Sequence, residues 1–172
     1  MQFGLFYEWP NPTFRPWKIL FEEGVEQIQY SEALGFDYCL IAEHHFSNYG
    51  NSPAPLLQAL YVGQRTRRLK IGTAAVILPV WQPLRLAEEV AVLDNLIDGR
   101  FLCGVGRGYQ PYEMAGFGRN VANSRRRFQE NSSILETPRD SASSMFSILR
   151  IAPRGSSLEK KMLRGVVSRW MK

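Results

Sequence analysis

Four times in the first 130 residues a short apolar run gives way to a segment of helical periodicity, and this alternation limits the folds open to the chain. MQFGLFY (1–7), FDYCLIA (36–42), LKIGTAAVIL (69–78) and RFLCGVG (100–106) read as strands. Between them lie helical patterns. WKILFEEGVEQIQYSEALG (17–35) spaces Ile19, Leu20, Val25, Ile28 and Leu34 as one helix face would, with Gly35 as its stop. SPAPLLQALYVGQRT (52–66) has prolines near its start, where a helix tolerates them. PLRLAEEVAVLDNLIDG (83–99) ends on a glycine, and SRRRFQENSSIL (124–135) opens with Ser124 as an expected N-cap.

Strands that are continuously apolar and separated by helices predict a parallel sheet covered on both faces. Right-handed crossovers then leave a doubly wound open sheet or a (β/α)8 barrel, of which four units are half. The expected fold class is therefore α/β.

Charge separates this body from the C-terminal segment. Residues 1–130 carry 13 basic and 13 acidic side chains, whereas residues 131–172 carry 8 and 3, the whole of the net charge of +5. The neutral body gives no sign of a nucleic-acid partner. Serine rises to 9 in the last 42 residues, and Leu158, Met162, Leu163, Val166, Val167 and Trp170 fall on one face of a basic amphipathic pattern. That pattern suits a charged surface, or a terminal helix covering apolar surface.

No apolar run is long enough to span a bilayer, and the N-terminus lacks the basic start of a secretory leader. Cys39 and Cys103 lie within strand-like runs, so free thiols in a reducing cytoplasm are expected. No ligand spacing suggests a metal.

In parallel α/β folds, function collects where the strands end. Here those ends read Phe6-Tyr7-Glu8-Trp9, Glu43-His44-His45-Phe46, Gly72-Thr73-Ala74-Ala75 and Gly104-Val105-Gly106-Arg107-Gly108-Tyr109, while the opposite loops are plain. His44 and His45 are the two histidines of the chain, and as strand neighbours they point opposite ways. One can face a shared pocket as a general acid or base; the alternative is a histidine satisfied at a strand end. Glycines around Arg107 let backbone approach a ligand, and three arginines at 125–127 oppose the helix dipole unless an anion sits there. A flexible loop and a solvated face are the respective alternatives. The segment is not G-x-G-x-x-G, which argues against a nicotinamide dinucleotide.

Together, FGLF (3–6), GFDYCLIAEHHF (35–46), LKIGTAAVILPVWQPLRLAEEVAVLDNLIDGRFLCGVGRG (69–108) and FGRNVANSRRRF (117–128) resemble the luciferase-like flavin monooxygenases. The resemblance implies a (β/α)8 barrel that binds reduced FMN, or in some branches F420, and uses O2 to oxidise an aldehyde or another small organic compound. It implies His44 as the catalytic histidine, with Glu43 supporting that strand end. It implies a cis Ala74–Ala75 peptide beneath the flavin ring, and Arg107 and Arg125 near the ring and phosphate. His45, Gly106 and Tyr109 fall in the implied substrate pocket. A separate flavin reductase and a homo- or heterodimer are the implied partners.

Gly106 stands where luciferases carry a reactive cysteine, so the pocket differs there, and RGYQPYEMAGFG (107–118) is closer to the general monooxygenase branch. The resemblance covers residues 1 to about 130, half of such a barrel. The expectation is an N-terminal half-barrel (1–130) followed by an atypical tail (131–172), as a truncation or frameshift would leave. Such a half-barrel would leave its first and fourth strands as open edges and could act by association alone.

Overall fold

A computed structural model describes residues 1–136. The elements run β1 (Gly4–Tyr7), α1 (Trp17–Ala33), β2 (Tyr38–Ile41), α2 (Pro55–Gly63), β3 (Lys70–Thr73), β4 (Val76–Ile77), α3 (Pro83–Leu96), β5 (Phe101–Leu102), β6 (Val105–Gly106), α4 (Pro111–Gly116) and α5 (Ser124–Glu136). The amphipathic pattern at 158–170 lies outside the described residues.

β1, β2, β3 and β5 form one parallel sheet in that order, and β4 and β6 form a second parallel pair. The sequence suggested two unbroken strands at 69–78 and 100–106. Each is interrupted for two residues, at Ala74–Ala75 and at Cys103–Gly104. The Ala74–Ala75 peptide is cis, as the resemblance implied. The Thr73 hydroxyl bridges the break by donating to Gly104 O (2.8 Å) and accepting from Gly104 N–H (3.0 Å). The Val76 N–H reaches the same carbonyl at 2.8 Å.

Register explains where the core lies. The rows Leu5–Cys39–Ile71–Phe101 and Tyr7–Ile41–Thr73 share one face, and successive strand residues alternate faces. Cys39, Ile41 and Ile71 are fully buried on it, among Val25, Ile28, Ala59, Val62, Leu69 and Leu86. The opposite face carries Phe6, Leu40, Gly72 and Leu102 in one row. Phe6 stays 52 % exposed there. The sheet was expected to be covered on both faces; among the described residues only the helical face is. β1 pairs only with β2, and β5 only with β3, so both edges are open among the described residues.

Helix α1 buries Phe21, Gly24, Val25, Ile28 and Ser31. Those positions follow the i, i+3, i+4 stripe, which leaves the expected core residues Ile19 and Leu34 exposed beside it. Gly35 adopts φ +92°, the left-handed conformation that ends a helix. At this same end of the sheet, the Glu32 carboxylate accepts the main-chain N–H groups of Arg67, Arg68 and Leu69. Arg100 reaches Gly63 O and Leu69 O, each at 2.7 Å.

Ser124 does not cap α5 as expected. Its hydroxyl donates back to Val121 O (2.7 Å), and the capping side chain is Asn120, which accepts from Ala122 N–H at the preceding 3-10 turn. The turn delivers the chain into α5 already wound, so the first helical residue needs no cap. α5 packs on α3 and on the 3-10 turn Leu78–Val80, where Asn131 donates to Leu78 O at 3.0 Å.

Candidate active site

β2 runs out into Glu43, His44 and His45, all three buried. Alternation along the chain sends the two rings to different neighbours. The His45 Nε2 lies 2.9 Å from Glu43 Oε1, and its ring meets Phe117 edge-on at 4.7 Å. His44 faces the other way. Its Nδ1 lies 3.0 Å from Glu113 Oε1, its Nε2 lies 3.6 Å from Glu8 Oε1, and Tyr49 and Tyr109 meet its ring edge-on at 5.0 and 6.5 Å. Glu8 comes from the end of β1 and Tyr109 from the segment after β6, so three strand ends converge on one imidazole.

Glu43 ties β2 to the far side of the break in the third strand. Its Oε2 accepts from Ile77 N–H (2.5 Å), and its Oε1 accepts from Trp81 Nε1–H (2.8 Å) as well as facing His45. Glu43 therefore supports His45 and β4 directly. The carboxylate that supports His44 is Glu113, on the short helix α4, which the sequence reading did not identify. Glu113 is 1 % exposed. Its Oε1 also accepts from the His45 main-chain N–H at 3.0 Å. Its one sequence signal is an acid directly after Pro111-Tyr112, at a helix start, where a carboxylate suits the dipole.

Small residues occupy the breaks in the strands that follow β2. Ala74 and Ala75 lie opposite Cys103–Gly104, and Gly106 pairs with Ile77. A Cβ placed on Gly106 would come within 3.0 Å of the Ala75 methyl and otherwise meet little. Gly108, at φ +71°, turns the following loop so that Ile77 and Met114 close beneath it. Arg107 lies between these glycines, half-buried, and makes no hydrogen bond or ion pair to the described residues. The other expected arginine lies in the first turn of α5. On α5, Arg126 pairs with Glu130 (2.8 Å) and Arg127 Nε reaches Pro79 O (3.4 Å), leaving Arg125 exposed and unpaired among the described residues.

Burial pushes the Tyr109 phenol above its usual value; Gln110 opposes this, and Tyr49, Glu113 and Glu8 add to it. Tyr109 therefore stays a neutral donor beside His44. Burial alone pushes the Cys39 and Cys103 thiols up to about 12, which removes them as nucleophiles. Among the described residues no group of three or more His, Cys, Asp or Glu side chains could hold a metal ion, and no helix is long and apolar enough to cross a membrane.

A parallel βα array whose polar, aromatic and glycine-rich residues gather where its strands end is the architecture of (β/α)8-barrel enzymes. The family model for luciferase-like monooxygenase matches residues 1–141, and the chain belongs to that family. It is 37% identical over 125 residues to the alkanal monooxygenase alpha chain of the Kryptophanaron alfredi symbiont, covering 73% of this chain and 35% of that protein. It superimposes on monooxygenase RslO1 from Streptomyces bottropensis with a TM-score of 0.75 at 32% identity, over 83% of this chain and 45% of that one. It also matches the oxygenating constituent of 3,6-diketocamphane monooxygenase from Pseudomonas putida, solved in complex with FMN, with a TM-score of 0.73 at 26% identity, over 78% of this chain and 38% of that one. The chain spans about a third of the length of the curated relatives it matches. The described sheet is thus a partial barrel.

Proposed function

We propose that this chain forms the flavin side of a monooxygenase that uses reduced FMN and O2 to oxidise an aldehyde or another small organic compound. A separate flavin reductase in the cytoplasm supplies the reduced flavin, and a second copy or a homologous chain pairs with this one. The carrying observation is that a carboxylate-held imidazole, His44, and the small residues Ala74, Ala75 and Gly106 all lie where the parallel strands end.

The residues fit the group. A planar ring system needs a floor of small side chains, and two methyl groups and a glycine leave room for one. A phosphate needs unengaged cations, and Arg107 and Arg125 have no partner among the described residues. Bound there, reduced flavin would supply the electrons that activate O2. His44 would accept or return the proton that substrate oxidation displaces, and Tyr109 would donate a hydrogen bond at the pocket mouth. The buried Glu43 network would hold β4 fixed under the ring, and the aromatic rim of Tyr49 and Tyr109 would limit water.

The test is an anaerobic titration of the whole chain with photoreduced FMN, followed by an oxygen pulse in the presence of an aldehyde. Saturable binding and an oxygenated product are expected. A His44→Ala variant should bind flavin yet lose turnover by about 10²–10⁴-fold. Binding of F420 in preference to FMN would move the chain to another branch of the superfamily. Concentration-dependent assembly without flavin binding would leave it as a non-catalytic association module.

A further inference from the structure

We infer that Glu113 is a positioning residue that keeps the His44 proton on Nδ1 and presents Nε2 as the proton acceptor, with Glu8 as the outlet. The inference deepens the reading of His44 as the acid–base group and rests on it for its catalytic meaning, but not for its geometry.

An ionised carboxylate can only accept hydrogen bonds. Glu113 Oε1 accepts from the His45 main-chain N–H and lies 3.0 Å from His44 Nδ1, so Nδ1 is the nitrogen that carries hydrogen. The carboxylate is buried and comes from an element 69 residues away in sequence, so the pair is a product of the fold. With Nδ1 engaged, the lone pair on Nε2 faces the rim. Glu8 Oε1 lies 3.6 Å from it, beyond a direct hydrogen bond, and Glu8 is more open to solvent than Glu113.

The arrangement defines a proton route. Nε2 takes a proton from an O–H group in the pocket: that O–H bond breaks, its electron pair stays on oxygen, and an N–H bond forms. The imidazolium then lies between two carboxylates, and the proton leaves Nε2 for Glu8 through an intervening water molecule and then for solvent. His45 is held oppositely. Glu43 Oε1 faces its Nε2 and already accepts from Trp81 Nε1–H, so His45 carries its proton on Nε2. The two adjacent histidines therefore have opposite tautomers.

Because the chain has two histidines, long-range ¹⁵N–¹H correlation spectra of the flavin-free, full-length protein at neutral pH resolve both rings. His44→Gln assigns them. One ring should be protonated on Nδ1 and the other on Nε2. In Glu113→Ala the His44 proton should redistribute towards Nε2 while His45 is unchanged; in Glu8→Gln neither tautomer should change. His44 protonated on Nε2 in the wild type would overturn the inference, and that spectrum decides the point even if Glu113→Ala does not fold.

Glu113→Gln keeps an acceptor for Nδ1–H but removes the charge that stabilises the imidazolium. It should lower kcat about 10- to 100-fold while the Kd for reduced FMN stays within about threefold. Weakened binding with kcat unchanged would also overturn the inference. Opposite tautomers without any oxygenase turnover would leave the positioning standing and remove the proposed function instead.

Discussion

Thr73 and Gly104 are joined twice through one hydroxyl, which gives its hydrogen to the glycine carbonyl and takes one from the glycine N–H. A side chain thus does the work of a β-ladder across the two residues where the third and fourth strands break. The bridge sits where β3 and β5 give way to β4 and β6, so it ties the two parallel sheets together.

Thr73→Val preserves shape but leaves the Gly104 N–H without its partner, while the Gly104 carbonyl keeps Val76 N–H. The expected loss is about 1–3 kcal/mol in chemical denaturation. A midpoint equal to the wild type's would mean that the bridge contributes nothing.

Glu43→Ala should be the more damaging change. It leaves the Ile77 N–H, the Trp81 indole and the His45 ring facing a cavity with no acceptor. Breaking such a buried network costs about 3–5 kcal/mol. Glu43→Gln, which keeps one acceptor oxygen, should lie between. Urea titrations of the three proteins check the order, and an alanine variant as stable as the wild type would show that the network does not hold the fold.

Arg125 and Arg126 are neighbours with different engagements, since Arg126 is occupied by Glu130. Arg125→Ala should weaken FMN binding about tenfold and leave riboflavin binding alone, as expected for a phosphate contact. Arg126→Ala should change neither. If both flavins lose affinity equally, Arg125 does not read the phosphate.

The Glu32 carboxyl is raised by its partial burial but pulled down further by the N–H groups of Leu69, Arg68 and Arg67, with Arg68 charge adding, so it lies below its ordinary value of 4.5. Its stabilising contribution is present above that value and fades as the pH falls through the lower, folded one. As the pH falls below 4.5 the wild type should lose more stability than Glu32→Gln. Parallel acid-limb denaturation curves for the two would show that the clamp is not charge-dependent.

The alternation of strands and helices could be read directly from the sequence, because each strand is short and apolar, the helices are amphipathic, and Gly35 and Gly99 mark the ends of α1 and α3. The convergence of Glu8, His44 and Tyr109 followed from it, since strand ends share a face. The breaks at Ala74–Ala75 and Cys103–Gly104 could not be read, because small apolar residues continue the pattern of a strand without marking where pairing stops. α4 was hidden in a glycine-rich segment, and Glu113 with it, since its partner is 69 residues away and pairing at that distance leaves no local signature. The cap at Asn120 was missed because a serine four residues later fitted the helix start equally well on spacing alone.

The clamp formed by Glu32 and Arg100 shares no residue with the network around His44, and the two lie at opposite ends of the same strands. This separation has a practical meaning for protein engineering. Substitutions confined to the loops at 64–69 and 97–100 change how firmly the sheet is tied at its base. A library built there searches for thermal tolerance, and one built at 46–49 and 107–117 searches for new chemistry. The two can be selected independently and then combined in one chain, with additive effects expected for sites this far apart.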